Sequence, residues 1–361
     1  MIIAYVSGHG WGHATRTAEV LRVLREIEPR VELAIVSSAP EALFREAIPG
    51  VFAYRSLTCD VGLAQKSALV IDEPATLARW HVFEAGWASL LASEARWLRE
   101  LGARLVLADI PPLAFEAAAQ AGVSSVGLAN FSWDWIYDHV SRRHAGFAEP
   151  AARAAAAYRK AQLLLQLPFA GDLTAFPHRE PIPLVARRPR VPRAEARRRL
   201  GLGARPAVLL SFGGLGLPGF DARVLGALDG HVFLLGAECP PATASNLVVF
   251  DRRKLNQLGL RYQDVVGAAD VVVTKPGYGI VSDAIGAGTR LLYTDRGEFP
   301  EYPILVAEMT RYLPVFHVSN QDLTQGRLGP ALAAVLAQPV PPAPRSDGGQ
   351  VAARRLIELL G

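Results

Sequence analysis

The chain has 361 residues, of which half are hydrophobic and a fifth are charged. That length and balance fit two ordinary domains with buried cores, and they exclude disordered, collagen-like and low-complexity proteins. The net charge is +4, but seven arginines lie within residues 187–199, where Glu195 is the only acid. We interpret this stretch as a solvated linker and helix start, with contact to phosphate or a partner as the alternative. No aromatic residue alternates with these arginines, so the sequence gives no support for nucleic-acid binding.

The sequence also predicts a cytoplasmic protein. No uncharged apolar run approaches the roughly 18 residues that span a bilayer, and the first residues lack the basic start of a signal peptide. Cys59 and Cys239 are far apart and form no CxxC pair. We therefore expect neither a disulfide framework nor a cysteine-based zinc site.

Strand-like and helix-like stretches alternate through the first half of the chain. The predicted strands cover residues 2–7, 31–37, 51–57, 104–109, 125–129 and 163–167. The predicted helices include residues 14–27, 74–101 and 113–121, followed by an alanine-rich helical stretch. Apolar strands separated by amphipathic helices indicate a parallel sheet that is covered on both faces.

A segment with five prolines, residues 176–193, then interrupts the pattern. The alternation restarts with predicted strands at residues 207–211, 231–235, 247–250, 270–274 and 290–294. We therefore predict a first domain at 1–176, a linker at 177–193 and a second doubly wound domain at 194–338. Residues 339–361 are predicted to form a second linker and a terminal helix that packs back on the first domain.

The sequence GHGWGH at residues 8–13 joins the first strand to the first helix. Helix amides face a crevice at this place in a doubly wound sheet, so Gly10 and Gly12 are candidates to line a ligand site. The spacing differs from the dinucleotide fingerprint, and no acid ends the second strand, so we expect no nicotinamide or flavin cofactor. At the helix start a neutral His13 is favoured and can accept a proton. The alternatives are a turn that needs glycine torsions and a histidine that only caps or packs.

Two further glycine loops follow predicted strands of the second domain. One is SFGGLG at residues 211–216, and the other is KPGYG at residues 275–279, which opens a helix. Neither is a Walker loop, so we do not expect a P-loop ATPase or kinase. Both loops can turn amides towards a diphosphate, although either is also consistent with an ordinary turn. The candidate diphosphate-binding residues are Gly213, Gly214, Lys275, Gly277, Tyr278 and Gly279.

Three acids of the second domain are further candidates. Asp283 lies one turn into the helix after KPGYG, where it can accept hydroxyls of a ribose; the alternative is a favourable interaction with the helix dipole. Glu298 and Glu301 follow the next predicted strand and can meet a ligand at the strand ends. Exposed capping acids are the alternative for these two residues.

These features together resemble the GT-B glycosyltransferases, in particular the MurG and UDP-glycosyltransferase group. The sequence is more similar still to the N-terminal glycosyltransferase-like half of plant-type L-arabinokinases and their free-standing bacterial relatives. The likeness covers nearly the whole chain and includes residues 7–16, 64–72, 129–137, 211–214 and 275–279.

The resemblance implies an α/β fold of two Rossmann-like domains that face each other across a cleft. It implies that the KPGYG loop receives the donor diphosphate and that Asp283 holds the ribose. The candidate catalytic residues are His13 and Asp109, either of which would remove the acceptor proton. The implied donor-sugar or acceptor positions are Gly10, Gly12, Asn130, Asp134, Glu298 and Glu301.

The implied function is transfer of a sugar from a nucleotide diphosphate, expected to be UDP, to a hydroxyl acceptor held by the first domain. We expect no metal and no cofactor. Two alternatives remain at this point: a non-catalytic nucleotide-sugar-binding module and a nucleotide-sugar epimerase with the GT-B fold.

Overall fold

The fold is taken from a computed structural model, which describes residues 1–67, 70–213, 220–236, 244–342 and 344–361. The strands of the first half are β1 (Ile2–Val6), β2 (Leu33–Ser37), β3 (Ala53–Ser56), β4 (Gln65–Ser67), β5 (Val70–Ile71), β6 (Leu105–Asp109), β7 (Ser124–Ala129), β8 (Leu163–Gln166) and β9 (Arg179–Pro181). The helices are α1 (Trp11–Ile27), α2 (Glu41–Ala47), α3 (Glu73–Ala85), α4 (Trp87–Glu100), α5 (Pro112–Ala121), α6 (Trp133–Ser141) and α7 (Ala148–Tyr158).

The N-terminal lobe is built on a parallel sheet with the strand order β3-β2-β1-β6-β7-β8-β9. The strands β1, β2 and β6 are buried along their whole length, as expected for strands covered by helices on both faces. The chain leaves β1 towards β2 on one side, while β6 lies on the other side. This change of direction opens a crevice at the carboxyl ends of β1 and β6, which is where doubly wound proteins place their ligands.

The C-terminal lobe repeats the same plan. Its strands are β10 (Ala207–Ser211), β11 (Val232–Gly236), β12 (Leu247–Phe250), β13 (Val271–Thr274), β14 (Arg290–Tyr293) and β15 (Val315–His317), paired in parallel in the order β12-β11-β10-β13-β14-β15. Its helices are α8 (Arg193–Arg199), α9 (Arg252–Gln257), α10 (Tyr262–Ala268), α11 (Tyr278–Ala287), α12 (Glu301–Met309), α13 (Asn320–Thr324) and α14 (Gly329–Leu336). The predicted fold class, two doubly wound parallel sheets, is therefore confirmed.

Two predicted segments differ from the structure. The helix predicted at 74–101 is two helices, α3 and α4, which meet at Gly86. Glycine is a poor residue for a helix interior, and here it ends one helix and precedes the next. The segment 177–193 is not entirely a linker, because β9 pairs with β8 at the edge of the first sheet.

The last helix, α15 (Gly348–Leu360), packs on α1 in the N-terminal lobe. Ala352 and Leu356 of α15 share a buried apolar cluster with Leu21 and Leu24 of α1. The same cluster includes Val281, from α11 of the other lobe. The two lobes are thus joined by continuous apolar packing. Within the described ranges, no helix is long and apolar enough to cross a bilayer.

The arginine-rich segment is largely exposed and begins a helix, as predicted, but some of its arginines also contact the C-terminal lobe. Arg193 donates hydrogen bonds to the carbonyls of Gly267 and Ala269, and Arg197 donates to the carbonyl of Ala268. These carbonyls are at the end of α10, where the helix dipole favours a cation. Part of the positive charge of the segment therefore has a structural role.

Candidate active site

The glycine loop after β1 brings His13 to the carboxyl edge of the first sheet. Gly10 has a φ of 78°, a left-handed conformation that glycine adopts without strain, and α1 begins at the next residue. His13 is thus in the first turn of α1 and is only 5% exposed. Asp109 is the last residue of β6, which pairs with β1, and it is fully buried. The sheet topology therefore places both predicted catalytic residues at one crevice.

The two side chains are in contact, with His13 Nδ1 2.7 Å from Asp109 Oδ1. Burial alone raises the pKa of Asp109, but the charge of Arg16 and the hydrogen bonds from Arg16 and His13 outweigh it and hold that pKa at about 2. Since the ionised carboxylate can only accept, Nδ1 must carry the proton and donate it. In neutral His13 the other ring nitrogen, Nε2, is then unprotonated, which is the form that a general base requires.

Arg16 and Thr17, also from α1, complete the surroundings of this carboxylate. Arg16 Nε donates to Asp109 Oδ2 at 2.7 Å, and Arg16 Nη2 donates to Oδ1 at 2.5 Å. The Thr17 hydroxyl donates to Oδ2 at 2.7 Å. Asp109 is therefore buried and ionised, and both of its carboxylate oxygens accept hydrogen bonds. This arrangement supports a role in orienting His13 in preference to the alternative that Asp109 itself removes a proton.

A chain of polar contacts continues from Arg16 into the other lobe. Arg16 Nη1 donates to Asn130 Oδ1 at 2.6 Å, and Asn130 Nδ2 donates to Glu301 Oε1 at 2.7 Å. Glu301 Oε2 accepts from Arg296 Nη1, also at 2.7 Å. Asn130 directly follows β7, whereas Glu301 begins α12. Two predicted site residues thus meet across the lobe boundary, and both oxygens of the Glu301 carboxylate have partners.

The KPGYG loop after β13 forms the opposite wall of the cleft. A Cβ atom on Gly279 would lie only 3.3 Å from the Cα of Gly12. The first turns of α1 and α11 therefore face each other, and the free amides of both point towards the cleft. Gly277 directly precedes α11 in an extended conformation. Burial and the neighbouring Arg296 lower the pKa of Lys275 to about 8.

The side chain of Tyr278 lies at the lobe boundary. Tyr278 is 4% exposed, and the guanidinium carbon of Arg16 lies 5.2 Å from the centre of its ring. Its hydroxyl accepts a hydrogen bond from the amide of Val185 at 3.2 Å. The part of Tyr278 that can meet an anion is therefore its backbone amide, at the first position of α11.

The loop after β10 is described only in part. Gly213 follows that strand in a left-handed conformation with a φ of 73°. Gly214, the other candidate of this loop, lies outside the described residues.

Asp283 is placed differently from the sequence prediction, which directed it towards the cleft. It is 2% exposed, and its Oδ1 accepts from the backbone amide of Arg187 at 3.1 Å. Its Oδ2 accepts from the Nε of Arg187 at 3.1 Å and from the Nη2 of the same side chain. This pairing argues against the predicted ribose contact, because the carboxylate already binds a guanidinium from the segment between the lobes.

We expect Asp283→Ala to lower the free energy of unfolding by about 3 kcal/mol, because Arg187 would be left largely buried without its partner. Urea denaturation at neutral pH would measure the loss. The control is Asp138→Ala, which removes an exposed ion pair with Arg142. Equal stability of Asp283→Ala and wild type would contradict the structural role of the pair.

Among the described residues, the predicted acids Glu298 and Asp134 have no contact with His13, Asp109 or Arg16. Glu298 is exposed, with its carboxylate 3.4 Å from Arg143 Nη1. Asp134 lies in the first turn of α6, where burial raises the pKa of its carboxyl against hydrogen bonds from Ser132 and the amide of Trp135. Both stay predictions as contacts of the acceptor or donor sugar.

Several site residues were missed by the sequence analysis. Asp60 is buried, and it accepts hydrogen bonds from Ser7 Oγ at 3.0 Å and Trp133 Nε1 at 2.8 Å. It lies in a loop between β3 and β4 without periodicity or motif, so no local signal identified it. Burial, with the nearby charges of Arg296 and Lys275, lowers the pKa of His9 to about 3, and this side chain is therefore neutral.

Asp60 also lines a small cavity whose walls are largely aromatic. Its lining includes Trp80, Phe83, Trp87, Trp133 and Tyr137. The carboxylates of Asp60 and Glu84 and the guanidinium of Arg153 also line it, and its volume of about 20 Å³ is close to that of one water molecule. Within the described ranges, no group of three or more His, Cys, Asp or Glu side chains is placed to hold a metal ion.

Comparison with known proteins shows similarity in sequence to one protein and similarity in fold to others. No protein family model matches it. L-arabinokinase of Arabidopsis thaliana is 31% identical over 363 residues, which cover 98% of this chain and 34% of that protein. The chain thus spans about a third of the length of this curated relative.

The similar solved structures are glycosyltransferases. The glycotransferase of kitacinnamycin superposes with a TM-score of 0.62 and 18% identity over 100% of this chain and 95% of that one. A UDP-glucosyltransferase of Polygonum tinctorium gives a TM-score of 0.62 and 13% identity over 99% and 98%. UGT2 of Phytolacca americana, complexed with UDP-2-fluoro-glucose and pterostilbene, has a TM-score of 0.61 and 13% identity. The match covers 99% of this chain and 94% of that one. The sequence-based resemblance is thereby confirmed: the chain has the GT-B fold of glycosyltransferases, and its sequence is similar to that of L-arabinokinase over about a third of that protein.

Proposed function

We propose that this protein transfers a sugar from a UDP-linked donor to a hydroxyl group of an acceptor. The observation that carries the proposal is the His13–Asp109 pair, whose 2.7 Å contact leaves Nε2 as the basic nitrogen at the carboxyl edge of the first sheet. The cleft that holds this base is closed on the other side by the start of α11. A base and an anion-binding helix start on opposite walls are the two elements that such a transfer requires.

The diphosphate of the donor would bind at the KPGYG loop. The amides of Tyr278 and Gly279 are in the first turn of α11, where unpaired N–H groups and the helix dipole favour an anion. Lys275 and Arg296 add positive charge on the same side, since Arg296 Nη1 donates to the carbonyl of Pro276, the residue that follows Lys275. Gly213 and Gly214, after β10, remain candidates for a second set of amide contacts.

In the proposed reaction, Nε2 of His13 takes the proton of the acceptor hydroxyl while the oxygen forms a bond to the anomeric carbon. The bond from that carbon to the diphosphate oxygen breaks, and its electron pair leaves with UDP. Asp109 stabilises the imidazolium that forms, as a buried carboxylate does for a catalytic histidine. The charge that develops on the leaving diphosphate is stabilised by the α11 amides, Lys275 and Arg296.

We place the acceptor in the N-terminal lobe, on the side of the cleft that carries His13. Asp60 is hydrogen-bonded to Ser7, at the start of the glycine loop that carries His13. An acceptor that reaches this loop would therefore lie close to the base. No metal ion enters this proposal.

One observation favours the alternative of a binding module without transfer. The Arg16 guanidinium neutralises Asp109 and lies 3.1 Å from His13 Nδ1, so a positive charge already stands where an imidazolium would form. Incubation of the full chain with a panel of UDP-sugars, with and without hydroxyl acceptors, would separate the possibilities by product analysis. A new glycoside supports transfer, binding without turnover supports the module, and a changed sugar without an acceptor supports an epimerase.

The affinity for UDP is expected to fall about tenfold between pH 7 and 9, because an anion binds the protonated form of a lysine whose pKa is about 8. Calorimetric titration with UDP at both pH values would measure the change. Lys275→Arg should remove most of this dependence, since a guanidinium stays charged over the whole range. An equally steep decline in Lys275→Arg would assign the titration to another group.

A further inference from the structure

We propose that Asn130 and Glu301 form a positioning contact between the lobes, which holds Arg16 and, through it, the Asp109–His13 pair in the arrangement needed for proton removal. The catalytic consequence rests on the function proposed above. The contact itself rests only on the geometry of the described residues.

Both the oxygen and the nitrogen of the Asn130 side-chain amide form hydrogen bonds. Its Oδ1 accepts from Arg16 Nη1 at 2.6 Å, and its Nδ2 donates to Glu301 Oε1 at 2.7 Å. Asn130 is fully buried and Glu301 is 2% exposed, so water does not replace either bond freely. An amide suits this position because it presents an acceptor to the cation on one side and a donor to the carboxylate on the other.

Arg16 needs this contact to be held in one position. Its Nε and Nη2 bind Asp109, whereas its Nη1 binds Asn130. Its side chain is 3% exposed, so loss of the Asn130 acceptor would leave Nη1 buried without that partner. The guanidinium would then move towards other acceptors. Because Arg16 and His13 share Oδ1 of Asp109, such a movement changes the hydrogen bond that fixes the His13 ring.

On the other side the contact reaches the proposed diphosphate loop. Arg296 Nη1 donates both to Glu301 Oε2 at 2.7 Å and to the carbonyl of Pro276 at 2.9 Å. Pro276 belongs to KPGYG. The position of this loop and the position of the base are therefore joined by consecutive hydrogen bonds through five side chains, those of Arg296, Glu301, Asn130, Arg16 and Asp109.

His13 faces charged and polar groups from several elements, together with the rings of Phe131 and Trp133. Asp109 and Arg16 contact it directly, and Asp60 and His9 interact with it electrostatically. The test therefore uses Asn130→Ala, which breaks the contact without changing any charge. The matched control is Asn246→Ala, which removes an equally buried asparagine whose amide binds backbone carbonyls of the C-terminal lobe.

The first measurement needs no substrate. In the full chain with 15N-labelled histidine and arginine, wild type and Asn246→Ala are expected to show His13 as a single tautomer with the proton on Nδ1. They should also show a slowly rotating Arg16 guanidinium with resolved Nη signals. Asn130→Ala should show averaged His13 tautomers and a freely rotating Arg16. Unchanged His13 and Arg16 signals in Asn130→Ala would overturn the proposal, whether or not any UDP-sugar is a substrate.

The second measurement concerns catalysis. Once a donor and acceptor pair is found, Asn130→Ala should lower kcat about tenfold or more while the Kd for UDP changes less than about threefold. An unchanged kcat would refute the catalytic part. If Asn130→Ala does not fold, Asn130→Leu removes the same two hydrogen bonds with a side chain of similar size and no change of charge, and the Arg16 Nη signals decide: free rotation supports the proposal and hindered rotation refutes it.

Discussion

Replacement of His13 by alanine is expected to lower the rate of sugar transfer by at least about 100-fold, because the reaction would lose its general base. The affinity for UDP should change little, since the proposed diphosphate contacts of Lys275 and the α11 amides lie in the other lobe. Steady-state kinetics with the best donor and acceptor, together with calorimetry for UDP, would measure both effects. The expected pattern is a large fall in kcat at nearly constant Kd.

His231→Ala is a suitable control for this experiment. His231 lies just before β11, and burial lowers the pKa of its imidazole, but it has no contact with the cleft residues described above. It should retain the rate of wild type. If His13→Ala also retained that rate, proton removal would pass to another group and the proposed mechanism would be wrong. If wild type bound UDP but turned over no donor, the protein would be a binding module.

The change Asp109→Asn is expected to lower the free energy of unfolding by about 3 to 5 kcal/mol, because it leaves the Arg16 guanidinium buried without its counter-charge. The asparagine amide could also present a donor to His13 Nδ1, which would favour the opposite tautomer and place the proton on Nε2. Transfer should therefore fall at least as far as in His13→Ala. Urea denaturation at pH 7 and steady-state kinetics would test the two effects.

The difference in the free energy of unfolding between wild type and Asp109→Asn should become smaller as the pH is lowered. The pKa of Asp109 is about 2 in the folded chain against an ordinary value of 3.8. A depressed carboxyl pKa contributes stability that is complete above the ordinary value and is lost as the pH falls towards the folded one. This difference in the free energy of unfolding should thus decrease as the pH falls from about 4 to about 2. Asp322→Asn, at an exposed pair with Arg327, is the control and should show little change at neutral pH.

Much of the fold followed from the sequence because local patterns determine it. The runs that form β1, β6 and β13 are short and apolar, and the helices between them show helical spacing of apolar residues. The position of His13 also followed, since a glycine loop between a buried strand and a helix lies at the carboxyl edge of a parallel sheet. The break at Gly86 and the edge strand β9 did not follow, because long helical patterns and prolines give ambiguous local signals.

The partners of the site residues were decided only by the tertiary structure. His13 meets Asp109 because β1 and β6 pair in parallel, although the two residues are 96 positions apart in the sequence. Asp283 has the same local pattern as a ligand-binding acid, yet its carboxylate binds Arg187, which the path of the chain between the lobes brings to it. Asn130 and Glu301 come from different lobes, so only the closed cleft shows that they bind each other.

The sequence by itself determined which elements form and which loops face the cleft, because periodicity and glycine positions act over a few residues. Which charged group neutralises which depends on how buried elements approach in space, and that packing has no local signature in the sequence.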